Sequence, residues 1–487
     1  MKPVATRSAL AGVLSLALAA CVTVPSTRSP DLHEQARALA VRRLDDTGLR
    51  AAEARLALPS AANELWTPDR ITVAAWYFDP QLAQARAEAT RAAADAVLAA
   101  ERANPTLELS PAKVFSGATA SSPWTIGIAM LLPLLHPGEA VARRDVAIAS
   151  TEMAKDQFAL AVWQSRSRAL SALREVLLTR RAEALAIRVA TVEAAYRDSV
   201  RQRVAAGASD RNVQLTAELE AQRSAANLAS RQAQRIAAEQ SLASAIGVPW
   251  AALRDVPLTW PQLDAPPAPS ALPAAALAQE AAWNRLDLAA LLAQYRVADA
   301  QLRAAAGTRY PTTSIAPGYI YDQGQRYFSF GVDVELPLFH GAGARILASA
   351  AARDEAAAAV LARQADILHA LDAARVDYTA RYDAWTRMRL AAEAAQQVAG
   401  RAQRRRVAGE ADRGSERIAQ VAAAQAELAA LDALTTTLDS LGKLEDAVQR
   451  PVWPPSRLSK ASTTDDPLFF SPRDRSCAFP LTAVALH

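Results

Sequence analysis

Phe328-Ser329-Phe330-Gly331-Val332-Asp333-Val334-Glu335-Leu336 alternates strictly, and between Pro337 and Pro451 no further proline occurs. Successive strand side chains point to opposite faces. Phe, Phe, Val, Val and Leu therefore share one face, and Ser, Gly, Asp and Glu the other. Hydrocarbon outside and water inside would satisfy both faces, as in a membrane barrel wall. An ordinary half-buried strand gives the same alternation, so the pattern alone leaves both environments open.

The stretch has a counterpart upstream. Phe330-Gly331-Val332 followed by Leu336-Pro337-Leu338-Phe339-His340 repeats Ile126-Gly127-Ile128 followed by Leu132-Pro133-Leu134-Leu135-His136 at an offset of 204. Tyr310-Pro311-Thr312-Thr313 repeats Asn104-Pro105-Thr106-Leu107 at 206. Arg406-Val407-Ala408 with Gly409, Asp412 and Arg413 repeats Arg203-Val204-Ala205 with Gly207, Asp210 and Arg211, with one residue of slippage. Ordered matches at nearly constant offset mark a tandem duplication.

Each copy places two strand-like runs before a long proline-free stretch, Pro137 to Pro249 in the first and Pro337 to Pro451 in the second. Proline breaks helix interiors. Trp163, Leu170, Leu173 and Leu177 have coiled-coil spacing. Each stretch reads as a long helix, a turn at Gly207 or Gly409, and a shorter return helix. At 1.5 Å per residue, a long helix over Gly138–Arg203 spans roughly 100 Å and a return helix over Asp210–Ala245 about 54 Å. The helix preceding the strands, Leu82–Ala103, adds about 33 Å. The two short helices stacked end to end nearly match the long one, so each repeat can supply one continuous and one two-piece column. The expected fold class is mainly α, with tandem long helical hairpins and a small membrane β-barrel portion of four strands per protomer. Four strands cannot close a barrel, and open edges are not tolerated in lipid, so such strands force oligomerisation.

Composition narrows the function classes. Hydrophobic residues make up 51% of the chain and aromatics only 6%. The apolar share is therefore largely alanine, a strong helix former that buries little area. A formal charge of +4 gives no electrostatic footprint for nucleic acid. Two cysteines exclude a disulfide scaffold or a cysteine-built metal site. No catalytic constellation or phosphate loop is present. Gly341-Ala342-Gly343 is followed by Ile346, where a dinucleotide loop needs Gly or Ala. Neither an enzyme nor a cofactor is expected, and His136 and His340 read as duplicated strand-end residues rather than metal ligands.

Lys2 and Arg7 precede an apolar stretch, Ala9–Ala20, which ends in Leu18-Ala19-Ala20-Cys21. A basic start and an apolar run too short to span a bilayer describe a secretory signal peptide. The ending resembles a bacterial lipobox, which implies acylation of Cys21. Val22 follows in place of the Asp that marks inner-membrane retention, which implies the outer membrane. The chain then divides into a signal peptide (1–20), a lipid-anchored or equatorial segment (21–75), a first repeat (76–250), a linker (251–280), a second repeat (281–450) and a partly disordered tail (451–487).

Duplicated strand pairs ahead of long Ala-rich helices, the Gly-x-x-Asp turns, and Arg285-Leu286-Asp287-Leu288 opening the second repeat resemble the TolC-like outer-membrane factor family over about residues 65–452. The resemblance implies a homotrimer whose strands close a twelve-stranded barrel above a twelve-helix periplasmic tunnel. It further implies the exit duct of a tripartite efflux pump or type I secretion system, served by a periplasmic adaptor and an inner-membrane pump. The charged stretch Asp31–Arg55 and the tail from Pro454 depart from that pattern.

By resemblance, the two turns lie at periplasmic tips that close the tunnel and dock the adaptor, with Arg203, Gly207, Asp210, Arg211, Arg406, Gly409, Glu410, Asp412 and Arg413 as candidates. Helix capping explains Asp210 and Asp412 equally well. Asp333 and Glu335 are the candidates for the barrel lumen. The competing function is an outer-membrane lipoprotein that forms no pore and acts as a coiled-coil spacer or adaptor. Transported cargo leaves no mark in the sequence.

Overall fold

The computed structural model describes residues 29, 31–56, 58, 65–115, 122–134, 137–311, 313–335 and 342–453. They belong to two units, Met1–Arg42 and Arg43–His487. In the first, Asp31 accepts from the amides of His33 and Glu34 and starts helix α1 (Leu32–Ala40). The charged stretch expected to be helical over Asp31–Arg55 is thus two helices, the second being α2 (Thr47–Arg55), capped in the same way by Asp46.

The second unit continues with α3 (Pro68–Phe78), α4 (Pro80–Ala100), β1 (Thr106–Lys113), β2 (Trp124–Leu134), α5 (Pro137–Ala205) and α6 (Arg211–Ile246). After two short 3-10 turns come α7 (Ala274–Trp283), α8 (Leu286–Gly307), β3 (Thr313–Asp322), β4 (Gln325–Val334), α9 (Ala342–Val407) and α10 (Arg413–Val448). The order of short helix, strand pair, long helix and return helix occurs twice. Pro68 and Pro80 stand in first-turn positions, where the missing amide costs nothing. Helices α3 and α4 part at Asp79-Pro80, and α7 and α8 at Asn284-Arg285, where the columns begin.

The helices form a row one helix deep. Helix α5 touches α4 and α6 along one flank and α8 and α10 along the other, and α9 lies beyond α8 and α10. Continuous α5 (about 104 Å) and α9 (about 99 Å) therefore alternate with two-piece columns of about 86 Å each, α4 with α6 and α8 with α10. The main apolar core lies where the pieces meet. Leu173 and Val176 of α5, Ile367 and Tyr378 of α9, Leu242 and Ile246 of α6 and Leu438 to Leu444 of α10 pack there against Ile71, Leu253 and Leu263. Trp260 stacks on Trp453 at 5.6 Å, and the Tyr378 hydroxyl donates to the Pro267 carbonyl, which ties the linker to α9. Burial raises that hydroxyl's pKa, so it remains a donor. No described helix is long and apolar enough to cross a membrane.

The four strands form one antiparallel sheet, β1-β2-β3-β4, in consistent register. Pairing aligns Leu107 with Met130, Ile128 with Tyr319, Tyr319 with Phe328, and Ile315 with Val332 on one face. The other face is mostly small, with Ser110, Gly127, Ala129, Ala316, Gly318, Ser329 and Gly331. That face is concave. A Cβ placed on Gly318 would lie 2.6 Å from Ser329 Oγ and 3.1 Å from Ala129 Cβ. Flat neighbouring strands hold their Cβ atoms about 4.5–5.5 Å apart. Gly318→Val should therefore disrupt the sheet: strand amides should lose hydrogen-exchange protection, with helical circular dichroism retained.

Candidate functional site

The two turns share one construction. Gly207 (φ 70°) and Gly409 (φ 79°) are both left-handed, the conformation that ends a helix. The Ala208 amide donates to the Arg203 carbonyl and the Gly207 amide to Val204; the Glu410 amide donates to the Arg405 carbonyl and the Gly409 amide to Arg406. These bonds equate Arg203 with Arg405, not with Arg406: glycine sets the register, and the match by residue identity lies one position away. Asp210 and Asp412 cap the return helices, accepting from the amides of Asn212 (2.6 Å) and Ser415 (2.8 Å). Hydrogen bonds from Ser415 hold the Asp412 carboxyl below its usual range, with the positive field of Arg203 adding to the effect.

The first turn thus acts on the second electrostatically. Nearby, Arg417 of α10 donates through Nε to Glu193 of α5 at 3.0 Å and lies over Tyr196 at 4.4 Å. Arg406 pairs with Glu416, while exposed Arg405 and Glu410 approach only to 4.0 Å. Arg211 and Arg413 stand exposed at the first positions of α6 and α10.

Halfway up the wall lies a second constellation, which sequence reasoning misses. Arg168 of α5 binds Asp79 (2.8 Å) and Gln81 (2.6 Å) at the start of α4. Arg363 of α9 binds Asp287 (2.6 Å) at the start of α8. In both repeats an arginine of the continuous helix thus clasps the break in the neighbouring column. Arg285, only 6% exposed, binds Asp287 at 2.7 Å and points its other amino group at the Asp446 and Ala447 carbonyls. A helix end leaves such carbonyls unsatisfied. The Gln449 side chain accepts from the Leu286 amide at 2.7 Å. Burial alone would raise the Asp287 pKa, but hydrogen bonds from Arg285 and Arg363 hold it below its ordinary value. Deeper in the wall, burial pushes Arg166 and Arg174 down and Glu445 up, each opposed by the opposite charge of the others. Glu445 also accepts from the Val452 and Trp453 amides, both at 2.8 Å.

The sheet segregates its charges. Its three acids, Glu108, Asp322 and Asp333, all lie on the small-residue face, and its two bases, Lys113 and Arg326, lie on the apolar face. Asp322 accepts from Thr125 Oγ1 at 2.6 Å. Glu335 is exposed one residue beyond β4. Among the described residues nothing covers the apolar face: Phe328 is 77% exposed, Phe330 60% and Val332 58%. Cys21, His136, His340 and Gly341 lie outside the described residues.

A structure described as a membrane protein of Pseudomonas aeruginosa is 18% identical to this chain; it superposes with a TM-score of 0.65 over 88% of this chain and 100% of the other. The outer membrane protein VceC of Vibrio cholerae is 17% identical, with a TM-score of 0.62 over 78% and 95%. The MtrE outer membrane channel of Neisseria gonorrhoeae, in its open state, is 16% identical, with a TM-score of 0.60 over 78% and 88%. No protein-family model and no curated protein matches the chain. Solved neighbours whose descriptions give a role are channels, not enzymes.

The folded-state pKa of Asp287 is depressed from an ordinary value of 3.8. Its contribution to stability is therefore complete above the unfolded value and is lost as pH falls through the lower folded one. Asp287→Asn weakens the charge-assisted hydrogen bonds from Arg285 and Arg363 and should destabilise the junction by about 2 kcal/mol near neutral pH. In thermal melts, the gap to the parent should narrow as pH falls below the ordinary carboxylate value of 3.8. The chain has the fold of the TolC-like outer-membrane efflux channels.

Proposed function

We propose that this chain is the outer-membrane exit duct of a tripartite efflux or type I secretion system. Three copies would close a twelve-stranded barrel continued by a twelve-helix periplasmic tunnel. The observation that carries this reading is the four-stranded sheet with unpaired edges and a bare apolar face, standing on a wall one helix deep. Strand β2 is 11 residues long. Once tilted, such a strand spans about 28 Å, close to the apolar band of a barrel. Helix α9 supports assembly as well. Leu347, Leu361, Leu368, Val376, Leu390 and Val398 are exposed along it. Their nearly heptad intervals make a seam without a partner among the described residues.

In this reading Cys21 carries the lipid anchor, the apolar sheet face meets outer-membrane lipid, and the helices reach into the periplasm. The tips rest closed through the Arg203–Asp412 attraction and the Arg406–Glu416 and Arg417–Glu193 pairs. A periplasmic adaptor, coupled to an inner-membrane pump, opens them, and cargo diffuses through without covalent chemistry. Glu108, Asp322 and Asp333 line the barrel, three acids per copy, with Glu335 at its lower mouth.

Light scattering of detergent-extracted protein should give three chains per particle, and the particle should conduct in planar bilayers. Phe330→Lys puts a charge in hydrocarbon at about 2–4 kcal/mol per copy and should abolish insertion. A monomer in mild detergent would leave the non-pore spacer lipoprotein as the answer, and normal insertion and conduction by Phe330→Lys would overturn the placement of this sheet face against lipid. Replacing Glu108, Asp322 and Asp333 together by Gln, Asn and Asn should lower the cation preference, read as a reversal-potential shift toward zero in a salt gradient.

A further inference from the structure

The strand charges sort by sign as well as by face. A barrel that needed only to keep charges out of hydrocarbon could carry either sign near the rims of its outer face, where a charge costs about 0–1 kcal/mol. Here the outer face carries cations alone, and at one end alone. Lys113 is the last residue of β1, paired with Trp124; Arg326 is the second residue of β4, paired with Tyr321. Both sit at the hairpin end, away from the helices. The opposite end of this face is marked by Leu107, Leu134, Thr313 and Val334, without a charge.

The cations are set among aromatic rings. Lys113 Nζ lies 5.3 Å from the Trp124 ring and 5.4 Å from that of Phe115, within cation–π range. Among the described residues neither cation pairs with a carboxylate, and Asp322, adjacent in sequence to the rim, points to the concave face. Three strand spacings separate the cations, about 14 Å across one face.

We propose that Lys113 and Arg326 bind the phosphate groups of lipid headgroups in the outer leaflet, with Trp124, Phe115 and Tyr321 seated against the sugar or acyl boundary of the same lipids. This inference rests on the outer-membrane barrel reading. The hairpin end is the outer-leaflet end whenever the helices are periplasmic, and a phosphorylated surface there would attract each basic residue and repel any acid. The acids are all on the concave face.

The test uses full-length protein in phosphatidylcholine nanodiscs doped with a bisphosphorylated disaccharide lipid or its dephosphorylated form, with retained lipid counted by native mass spectrometry. The parent should retain the phosphorylated form preferentially, and the preference should weaken as salt rises. Each cation removed should cost about fivefold in that preference, so Lys113→Gln with Arg326→Gln should lose about 25-fold while still inserting and conducting. A double variant that holds the phosphorylated lipid as the parent does would overturn the proposal. So would a parent that conducts yet does not distinguish the two lipids, with the barrel reading left standing. A parent that neither inserts nor conducts overturns both.

Discussion

The backbone amides and carbonyls of a sheet edge find no partner in hydrocarbon, and this chain ends its sheet at two such edges, β1 and β4. Most of the remaining architecture follows from that. Among the described residues, the apolar sheet face has no cover, the concave face is rich in glycine, alanine and serine, and the outermost helix carries an exposed apolar seam. Together they fit one sector of the closed ring proposed above. The concave face needs small side chains because a narrow cylinder draws neighbouring Cβ atoms inward. The wall needs alanine because helices with water on both sides meet only edge to edge, and small residues let long seams approach closely.

The wall has its own constraint, which is length. Two short helices do not quite equal one long one, and the difference falls at mid-height. There the chain spends its few large side chains and most of its buried charge. Arg168 and Arg363 close the breaks from the side, and Arg285 closes the end of α10 from above. Above the breaks the columns are held to the continuous helices by these ion pairs and by the core. Below them the helices run on to the tips with mostly exposed, salt-screened pairs, each worth little.

Much of this is legible in the sequence, for physical reasons. Strand alternation survives because β4 puts apolar side chains on one face and small or acidic ones on the other, and the long helices show because proline is absent from their interiors. What stays hidden has an equally physical explanation. Arg168 and Asp79 lie on different helices far apart in the chain, as do Arg363 and Asp287, and such pairs leave no local pattern. The motif Arg285-Leu286-Asp287 reads in sequence only as a family mark, although its two charges build the clasp. Glu108 and Lys113 escape notice because Pro111 interrupts β1, a residue that an edge strand tolerates. Identity matches Arg406 to Arg203, whereas the left-handed glycines fix the equivalence one residue away. At Asp210 and Asp412 the capping role expected from sequence is met by the amides of Asn212 and Ser415.

Because each turn satisfies its own backbone groups, with carbonyls closed by the glycine turn and an amide by the aspartate, neither tip depends on its neighbour for its shape. Such a tip behaves as a rigid foot on a lever. From the level of Arg174 to Gly207 the arm is about 50 Å, so a tilt of about five degrees at the junction carries the foot through roughly 4 Å. That is enough to part side chains in contact without breaking one helical hydrogen bond. In the proposed tunnel, the aperture at the tips is thus governed by an angle set near the middle of the wall.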